Sequence, residues 1–456
     1  MEQSNMSVNK PARTGINFVM LGLAALGGCV LLGVLGAFKY LYPEALPGFE
    51  FHQLRPIHVS LAVSWIFLAA IGGIYHYLPH YRGIKLKWPG SVDIHFWVFL
   101  GTGLLILGAY LMGNFGGREY WAYPPSLSIP IFATWIFFGI HILLSMRQEK
   151  EPWPVYYWMW MTGIIFFLIT FSEAYLYLVP FFNENVIRET TIQWKSYGAL
   201  VGSWNMLVYG TAMFVMERIS GDKKMAHTNE AFLLYILSFI ALMVGWSHHI
   251  YAVPSATWIR MLGYAVSMAE LAILAHIIWE WRKSLTPDQK HAHLISYRFI
   301  FASDIWVFLN LILAILMSIP AFNLFSHGTH ITVAHAMGTT IGINTMILMG
   351  SVFLMVENLC GSRFAGWSKK WAGHGFWISN VSLIVFLGAL MIAGSMEAFI
   401  AWEDFYEKTE AVVPFLLAFS VSGIGLLGGL WMVVVSALNM LMPVDPREQI
   451  APANTE

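Results

Sequence analysis

The chain has 456 residues, of which 57% are hydrophobic and only 11% charged, and its formal net charge is −1. Soluble domains carry about 25% charged residues, so this composition excludes an ordinary soluble protein and indicates an integral membrane protein. The near-zero net charge also argues against a role in binding nucleic acids.

Twelve apolar segments are each long enough to cross a hydrocarbon core of about 30 Å. The loops between them are short, so we predict an all-α, polytopic membrane protein in which residues 1–456 form one twelve-helix domain with short tails at 1–14 and 442–456. The first segment is too long for a cleaved signal peptide, and we expect it to remain as the first helix. The predicted segments lie near residues 15–42, 53–80, 92–115, 127–146, 153–180, 193–219, 228–252, 256–282, 296–318, 327–357, 374–402 and 411–441.

Basic residues divide unevenly between the two sides of this predicted topology. Of the 25 Lys and Arg residues, 18 fall on the side of the N-terminus and 7 on the other. Because cytoplasmic loops carry the excess of positive charge, we expect both termini to be cytoplasmic.

The two cysteines, Cys29 and Cys360, fall on opposite sides of the predicted topology, so they are not expected to form a disulfide. The sequence contains no CxxCH motif. A covalently attached c-type haem is therefore not expected on this chain.

Among the histidines inside predicted helices, we single out four for their depth: His58 in the second helix, the adjacent His248 and His249 in the seventh, and His335 in the tenth. At about 1.5 Å per residue, all four lie within ~12 Å of the outer membrane boundary. Imidazole is costly to bury in lipid, so intramembrane histidines normally line a cavity, a proton path or a metal site. We therefore predict a shared metal or haem layer. For the adjacent pair considered alone, ordinary hydrogen-bonded interfacial histidines are the alternative.

Met337 follows His335 by two residues, so the two side chains point to nearly opposite faces of the tenth helix. Histidine and methionine are common axial ligands of electron-transfer haems, which means that one helix would serve two haems. The alternative is that Met337 fills a gap in the core, as most of the 24 methionines do.

Glu270, in the eighth segment, is the carboxylate that we place in the membrane near the histidine layer. A bare carboxylate is too costly there, so it must be protonated, paired or metal-bound. It is a candidate metal ligand or proton donor. The alternative is a protonated glutamate hydrogen-bonded to a neighbouring helix.

Five motifs surround these positions: FEFHQLRPIHVSLAVSW, GREYWAYP, GWSHHIYAVP, SMAEL and SHGTHITVAHAM. Together they resemble the catalytic, cytochrome b subunit of bacterial nitric oxide reductase, within the haem–copper oxidase superfamily. The resemblance covers nearly the whole chain, and it implies a fold like subunit I of that superfamily.

The resemblance implies two b-type haems, one low-spin and one high-spin. His58 would bind the low-spin haem and Arg55 would contact one of its propionates. His335 would be the axial ligand of the high-spin haem. Met337 stands where the family has a second low-spin histidine, so this haem would have His58 and Met337 as ligands.

The resemblance also implies two further metal sites. His248 and His249 would bind a non-haem iron, with Glu270 nearby, and Glu119 would help to bind a calcium ion near the haem propionates. On the sixth helix the family supplies a third histidine and a glutamate, where this chain has Tyr197 and Val201, and a further family glutamate becomes Asn205. Tyr197 would then either supply a phenolate oxygen to the iron or donate a hydrogen bond to a bound water.

The function that the resemblance implies is the reduction of nitric oxide, a small gaseous substrate, to nitrous oxide in the bacterial inner membrane. Electrons would come from a membrane-anchored c-type cytochrome. Protons would enter from the outer side through Glu119 and the loop carrying Glu184 and Glu189, unless these acids are an ordinary solvated surface.

Two other functions stay open at this point. One is a cbb-like terminal oxygen reductase, although that type keeps the sixth-helix histidine and has a tyrosine where this chain has Leu242. The other is a non-catalytic haem protein for electron transfer or sensing, which has lost the non-haem metal.

Overall fold

The computed structural model describes residues 10–45, 47–266, 269–399 and 405–442, and the side chains of 13–45, 47–266, 271–399 and 410–442. Twelve helices within this part are long and apolar enough to cross a membrane, which confirms the predicted all-α, twelve-helix membrane protein. Of the predicted tails, residues 1–9 and 443–456 lie outside the described residues. Numbered α1 to α12 in chain order, the helices are Arg13–Leu41, Phe51–Tyr81, Ser91–Leu111, Pro125–Met146, Val155–Leu178, Val186–Ser220, Asn229–Ile250, Thr257–Ser284, Leu294–Ser318, His330–Arg363, Gly366–Phe399 and Glu410–Leu441.

Several helix boundaries differ from the hydropathy pattern, and at two of them local backbone chemistry explains the difference. α6 begins at Val186 rather than near residue 193, since the Asn185 side chain accepts hydrogen bonds from the first amides of the helix. α3 ends at Leu111 rather than near residue 115. Gly113 there adopts a φ of +70°, a left-handed conformation that ends helices.

Three helices form the interior of the bundle. In the most apolar part of each helix, 67% of the residues of α2 are buried, and 83% of those of α6 and of α10. Among the described residues, none of the other helices exceeds 50%. The remaining helices turn apolar side chains outward, as a lipid-facing ring requires. Any site built on α2, α6 and α10 therefore lies deep inside the protein.

α7 and α10 depart from regular α-helix at the positions of the predicted ligands. α7 changes to 3₁₀ geometry over Gly245–Ile250, which contains the adjacent histidines. α10 is α-helical over His330–Met337, π-helical over Gly338–Thr345 and α-helical again from Met346. Such wide π turns are rare and occur frequently at functional sites.

Threonine hydroxyls follow the wide turn of α10 and bond to its backbone carbonyls. The hydroxyl of Thr339 donates to the carbonyl of His335 at 3.0 Å, and that of Thr345 donates to the carbonyl of Thr340 at 2.9 Å. The indole of Trp65 on α2 donates to the Thr345 hydroxyl at 3.0 Å. The irregular turn is therefore tied both to itself and to a second interior helix.

Glycines allow α1 and α2 to pack in direct backbone contact. A Cβ added at Gly72 would lie 2.5 Å from the carbonyl oxygen of Gly15, and one added at Gly15 would lie 2.8 Å from the carbonyl oxygen of Gly72. Small residues at such a crossing are the usual means of close helix packing in membranes. This contact fixes α1 against α2, and both helices contribute to the site described below.

We predict that Gly72→Leu destabilises the protein by on the order of 1–3 kcal/mol, because the new side chain has no space at the crossing. The measurement is the thermal unfolding midpoint of the purified protein in detergent. Gly101→Leu is the matched control, since a Cβ at Gly101 on α3 would meet no atom within 4 Å. Equal unfolding midpoints for the two variants would contradict the packing described here.

Candidate functional site

A cavity of about 390 Å³ lies among the interior helices, and most of the predicted site residues line it. Eight helices contribute residues to its wall: α1, α2, α6, α7, α8, α10, α11 and α12. The structure brings together here His58, His248, His249, His335, Met337 and Tyr197. Arg55 and Glu119 are not among the residues that line it. The side chain of Glu270, on α8, lies outside the described residues.

His58 is held by the backbone of α1. Its Nδ1 lies 2.8 Å from the carbonyl oxygen of Cys29 and 3.5 Å from the Cys29 Sγ. A carbonyl only accepts, so Nδ1 carries the proton and Nε2 keeps a free lone pair. Metal-binding histidines are commonly oriented by such a bond at the other nitrogen, so His58 fits an axial haem ligand.

His248 and His249 form a compact pair in the 3₁₀ turn that ends α7. Their ring centroids are 4.2 Å apart, and the ring of His249 stacks on the indole of Trp194 at 4.9 Å with an interplanar angle of 8°. His335, on α10, lines the same cavity as this pair. Three imidazoles from two helices therefore line this cavity.

Two of these imidazoles bury a nitrogen that has no hydrogen-bond partner among the described residues, namely Nδ1 of His248 and Nδ1 of His335. Buried polar atoms are nearly always bonded to protein or to ordered water. The enclosed volume and the imidazole donors together fit haem, with His58 and His335 as ligands. Met337 also lines the cavity, two residues beyond His335 on the same helix.

The α6 wall carries Tyr197, Val201 and Asn205 in place of the imidazole and carboxylates that the family resemblance implied. The Tyr197 ring lies 5.2 Å from the Tyr120 ring, and its buried hydroxyl has no partner among the described residues. Val201 is an apolar part of the wall, and Asn205 accepts a 3.4 Å hydrogen bond from Asn344.

The fit to a second metal is incomplete in the described part of the chain. Within it, no group of three His, Cys, Asp or Glu side chains is placed to hold a metal ion. His248 and His249 offer two nitrogens, and a divalent ion needs at least one more ligand. The remaining carboxylate candidate is Glu270.

Sequence reasoning missed two rings beside the histidine pair. The ring of His327 lies 6.3 Å from that of His249 and 5.7 Å from that of Trp194, and its Nε2 is buried without a described partner. Burial lowers the pKa of His327, so its imidazole is neutral at pH 7. His327 is visible in the sequence as the first histidine of SHGTH. It lies in a loop, however, and a hydropathy pattern does not reveal that this loop approaches α6.

The GREYWAYP loop covers the cavity on what we call the Glu119 side, the membrane surface that carries residues 112–124. Tyr120 lines the cavity with a φ of +64°, a strained value for a residue with a Cβ. A Cβ at Gly117 would lie 1.6 Å from the carbonyl oxygen of Trp121, so the loop needs glycine there. Burial raises the pKa of Tyr120 to about 12, which keeps its phenol protonated at neutral pH.

Two ion pairs lie on the Glu119 side, beside this loop. Arg55 donates to Glu119 at 2.7 Å, and Arg118 donates to Glu189 at 2.8 Å. The Arg55 and Glu119 side chains are 52% and 40% exposed, so their pairing adds little stability and leaves both able to meet other charged groups. Calcium takes six to eight oxygens, and Glu119 alone does not supply such a site.

Known proteins share this architecture and much of the sequence pattern. Residues 13–425 match the family model described as Cytochrome C and Quinol oxidase polypeptide I. The chain is 22% identical to a nitric oxide reductase subunit of Stutzerimonas stutzeri, over 83% of each chain. It is 26% identical to cytochrome c oxidase subunit 1 of Rhodobacter capsulatus, over 88% of this chain and 80% of that one.

A solved structure shares the fold. A heme-copper terminal oxidase dimer studied by cryo-EM matches with a TM-score of 0.76 and 16% sequence identity, covering 96% of this chain and 85% of that one. The predicted subunit I-like fold is therefore confirmed. The chain belongs to the cytochrome c and quinol oxidase polypeptide I family, within the haem–copper oxidase superfamily.

Proposed function

We propose that this oxidoreductase subunit reduces nitric oxide, coupling two molecules with two electrons and two protons to give nitrous oxide and water. The observation that carries the proposal is the meeting of His248, His249 and His335 at one buried cavity whose wall has an apolar Leu242. Leu242 is 1% exposed and lines the cavity at the position where cbb-type oxygen reductases have a tyrosine. Oxygen reduction to water takes four electrons, and leucine supplies neither an electron nor a proton.

The proposed ligand sets follow from the donors around the cavity. His58 and Met337 would hold a low-spin haem b, and His335 a high-spin haem b. His248 and His249, with Glu270 and Tyr197, would hold a non-haem iron. When bound, the haems and this iron would deliver electrons and hold two small ligands close together. Arg55 would meet a haem propionate, and Glu119 would contribute to a calcium site.

A polar line on α6 is our candidate for proton entry from the Glu119 side. Glu189, Gln193 and Tyr197 follow one another at intervals of four residues, so they share one helix face. Both amide atoms of Gln193 and the hydroxyl of Tyr197 are buried without described partners. Water molecules normally satisfy such groups, and a hydrated line here would connect the surface acid to the cavity.

The remaining assignments rest on the family and the sequence. We propose a location in the bacterial inner membrane with both termini cytoplasmic, which places the Glu119 side outside. The donor would be a membrane-anchored c-type cytochrome, since the sequence has no CxxCH motif. Its haem would approach the exposed Arg55 and Glu119 on that side.

Oxygen reduction is the second candidate function, favoured by the phenol of Tyr197 in the cavity wall. The relative that is 26% identical is itself an oxidase subunit. Parallel assays of nitric oxide and oxygen consumption with the same reduced donor separate the two. The proposal fails if oxygen is consumed and nitric oxide is not.

We predict about three irons per chain in the purified protein, two of them in haem. Glu270→Gln should remove most of the third iron and at least about nine-tenths of nitric oxide turnover, because two imidazoles alone hold a divalent ion weakly. Elemental analysis with haem quantification is the measurement, and Glu230→Gln is the control because Glu230 is exposed in the first turn of α7. Two irons and no other metal in the wild type would instead indicate a haem protein without a second metal.

We predict that Met337→His lowers the midpoint potential of the low-spin haem. Imidazole is a stronger donor than thioether and stabilises ferric iron. A spectroelectrochemical titration checks this, with Met213→Leu as the control because Met213 is buried in α6 and is not among the residues that line the cavity. An unchanged or raised potential would exclude Met337 as a ligand.

We predict that Gln193→Leu slows nitric oxide turnover at least about tenfold without loss of haem, because an apolar side chain interrupts the hydrated line. Turnover per haem is the measurement. Gln148→Leu serves as the control, since Gln148 donates to the Lys85 carbonyl on the opposite membrane surface. Wild-type turnover in Gln193→Leu would remove α6 as the proton route.

A further inference from the structure

Cys29 contacts His58 through its thiol as well as through its backbone carbonyl. The thiol of the same residue lies 3.5 Å from Nδ1 of His58, while the carbonyl oxygen lies 2.8 Å from it. One N–H thus faces two acceptors that belong to a single residue. Cys29 is 6% exposed and lines the cavity.

Gly33, one turn further along α1, makes this contact sterically accessible. A Cβ at Gly33 would lie 2.8 Å from Cε1 and 3.0 Å from Nδ1 of His58. The missing side chain leaves space for the imidazole to reach the α1 backbone beside Cys29. The two residues together form a cradle that fixes the plane of the ring.

We propose that Cys29 is a positioning residue whose thiol, beside its carbonyl, orients His58 and sets the redox potential of the haem that His58 binds. This inference rests on the proposed role of His58 as the low-spin haem ligand. An imidazole that donates its second N–H becomes a stronger electron donor to the metal. A second acceptor near that N–H therefore favours ferric iron and lowers the potential.

The first test is a redox titration of Cys29→Ala and Cys29→Ser, with Cys360→Ala as the control. Cys360 bonds to the Met440 carbonyl, far from the cavity. The potential should rise in Cys29→Ala, stay nearer to the wild-type value in Cys29→Ser because a hydroxyl also accepts, and remain unchanged in Cys360→Ala. A wild-type potential in a haem-replete Cys29→Ala protein would overturn the inference and leave the proposed function standing.

A second measurement does not depend on the Cys29 variants folding. In Cys360→Ala, Cys29 is the single thiol, because the chain has two cysteines. Its S–H stretching band should shift in a redox-difference infrared spectrum when the low-spin haem is reduced. A band that does not respond would overturn the role of the thiol. Retention of the low-spin haem by His58→Ala would instead overturn the ligand assignment on which the inference rests.

Discussion

An imidazole nitrogen buried inside a membrane protein must be bonded, and this requirement governs the centre of the molecule. An unpaired polar group in an apolar medium costs several kcal/mol. His58 meets the requirement at one nitrogen through the α1 backbone, whereas His248 and His335 each keep a buried Nδ1 without a described protein partner. A group that binds these nitrogens contributes directly to stability, because it binds the folded chain and not the unfolded one.

The twelve helices and the histidine-bearing segments followed from the sequence because burial in lipid leaves a direct hydropathy signal. The placement of His58, His248 and His335 around one cavity agrees with the depth at which each lies along its helix. Features that depend on loops were beyond such reasoning. The left-handed backbone of Tyr120 and the approach of His327 to Trp194 are set by contacts between segments distant in the chain.

The α6 wall explains why the site could be predicted only in part. The family resemblance implies that Tyr197 and Val201 stand where relatives have an imidazole and a carboxylate, but it does not say what these two side chains do. In the structure Tyr197 packs against Tyr120, and Val201 adds apolar surface. The α6 part of the cavity wall is consequently neutral. In the proposed function, Glu270 on α8 is the group that would balance the charge of a cation bound by His248 and His249. What a side chain contacts in the cavity depends on the direction in which it points as well as on its residue type. The periodicity of the sequence does not reveal that direction closely enough.

The wide turn in α10 has a consequence for how this chain tolerates changes in length. Every residue from Met346 to Val356 is buried, so the second half of the helix is locked in register against its neighbours. Removing one residue from Gly338–Thr345 would rotate the preceding segment by about 100° relative to that anchor. The side chains of His335 and Met337, which now line the cavity, would both change direction. Surface loops can absorb insertions and deletions, but Gly338–Thr345 cannot. The number of residues between His335 and the buried segment Met346–Val356 fixes the orientation of the His335 and Met337 side chains.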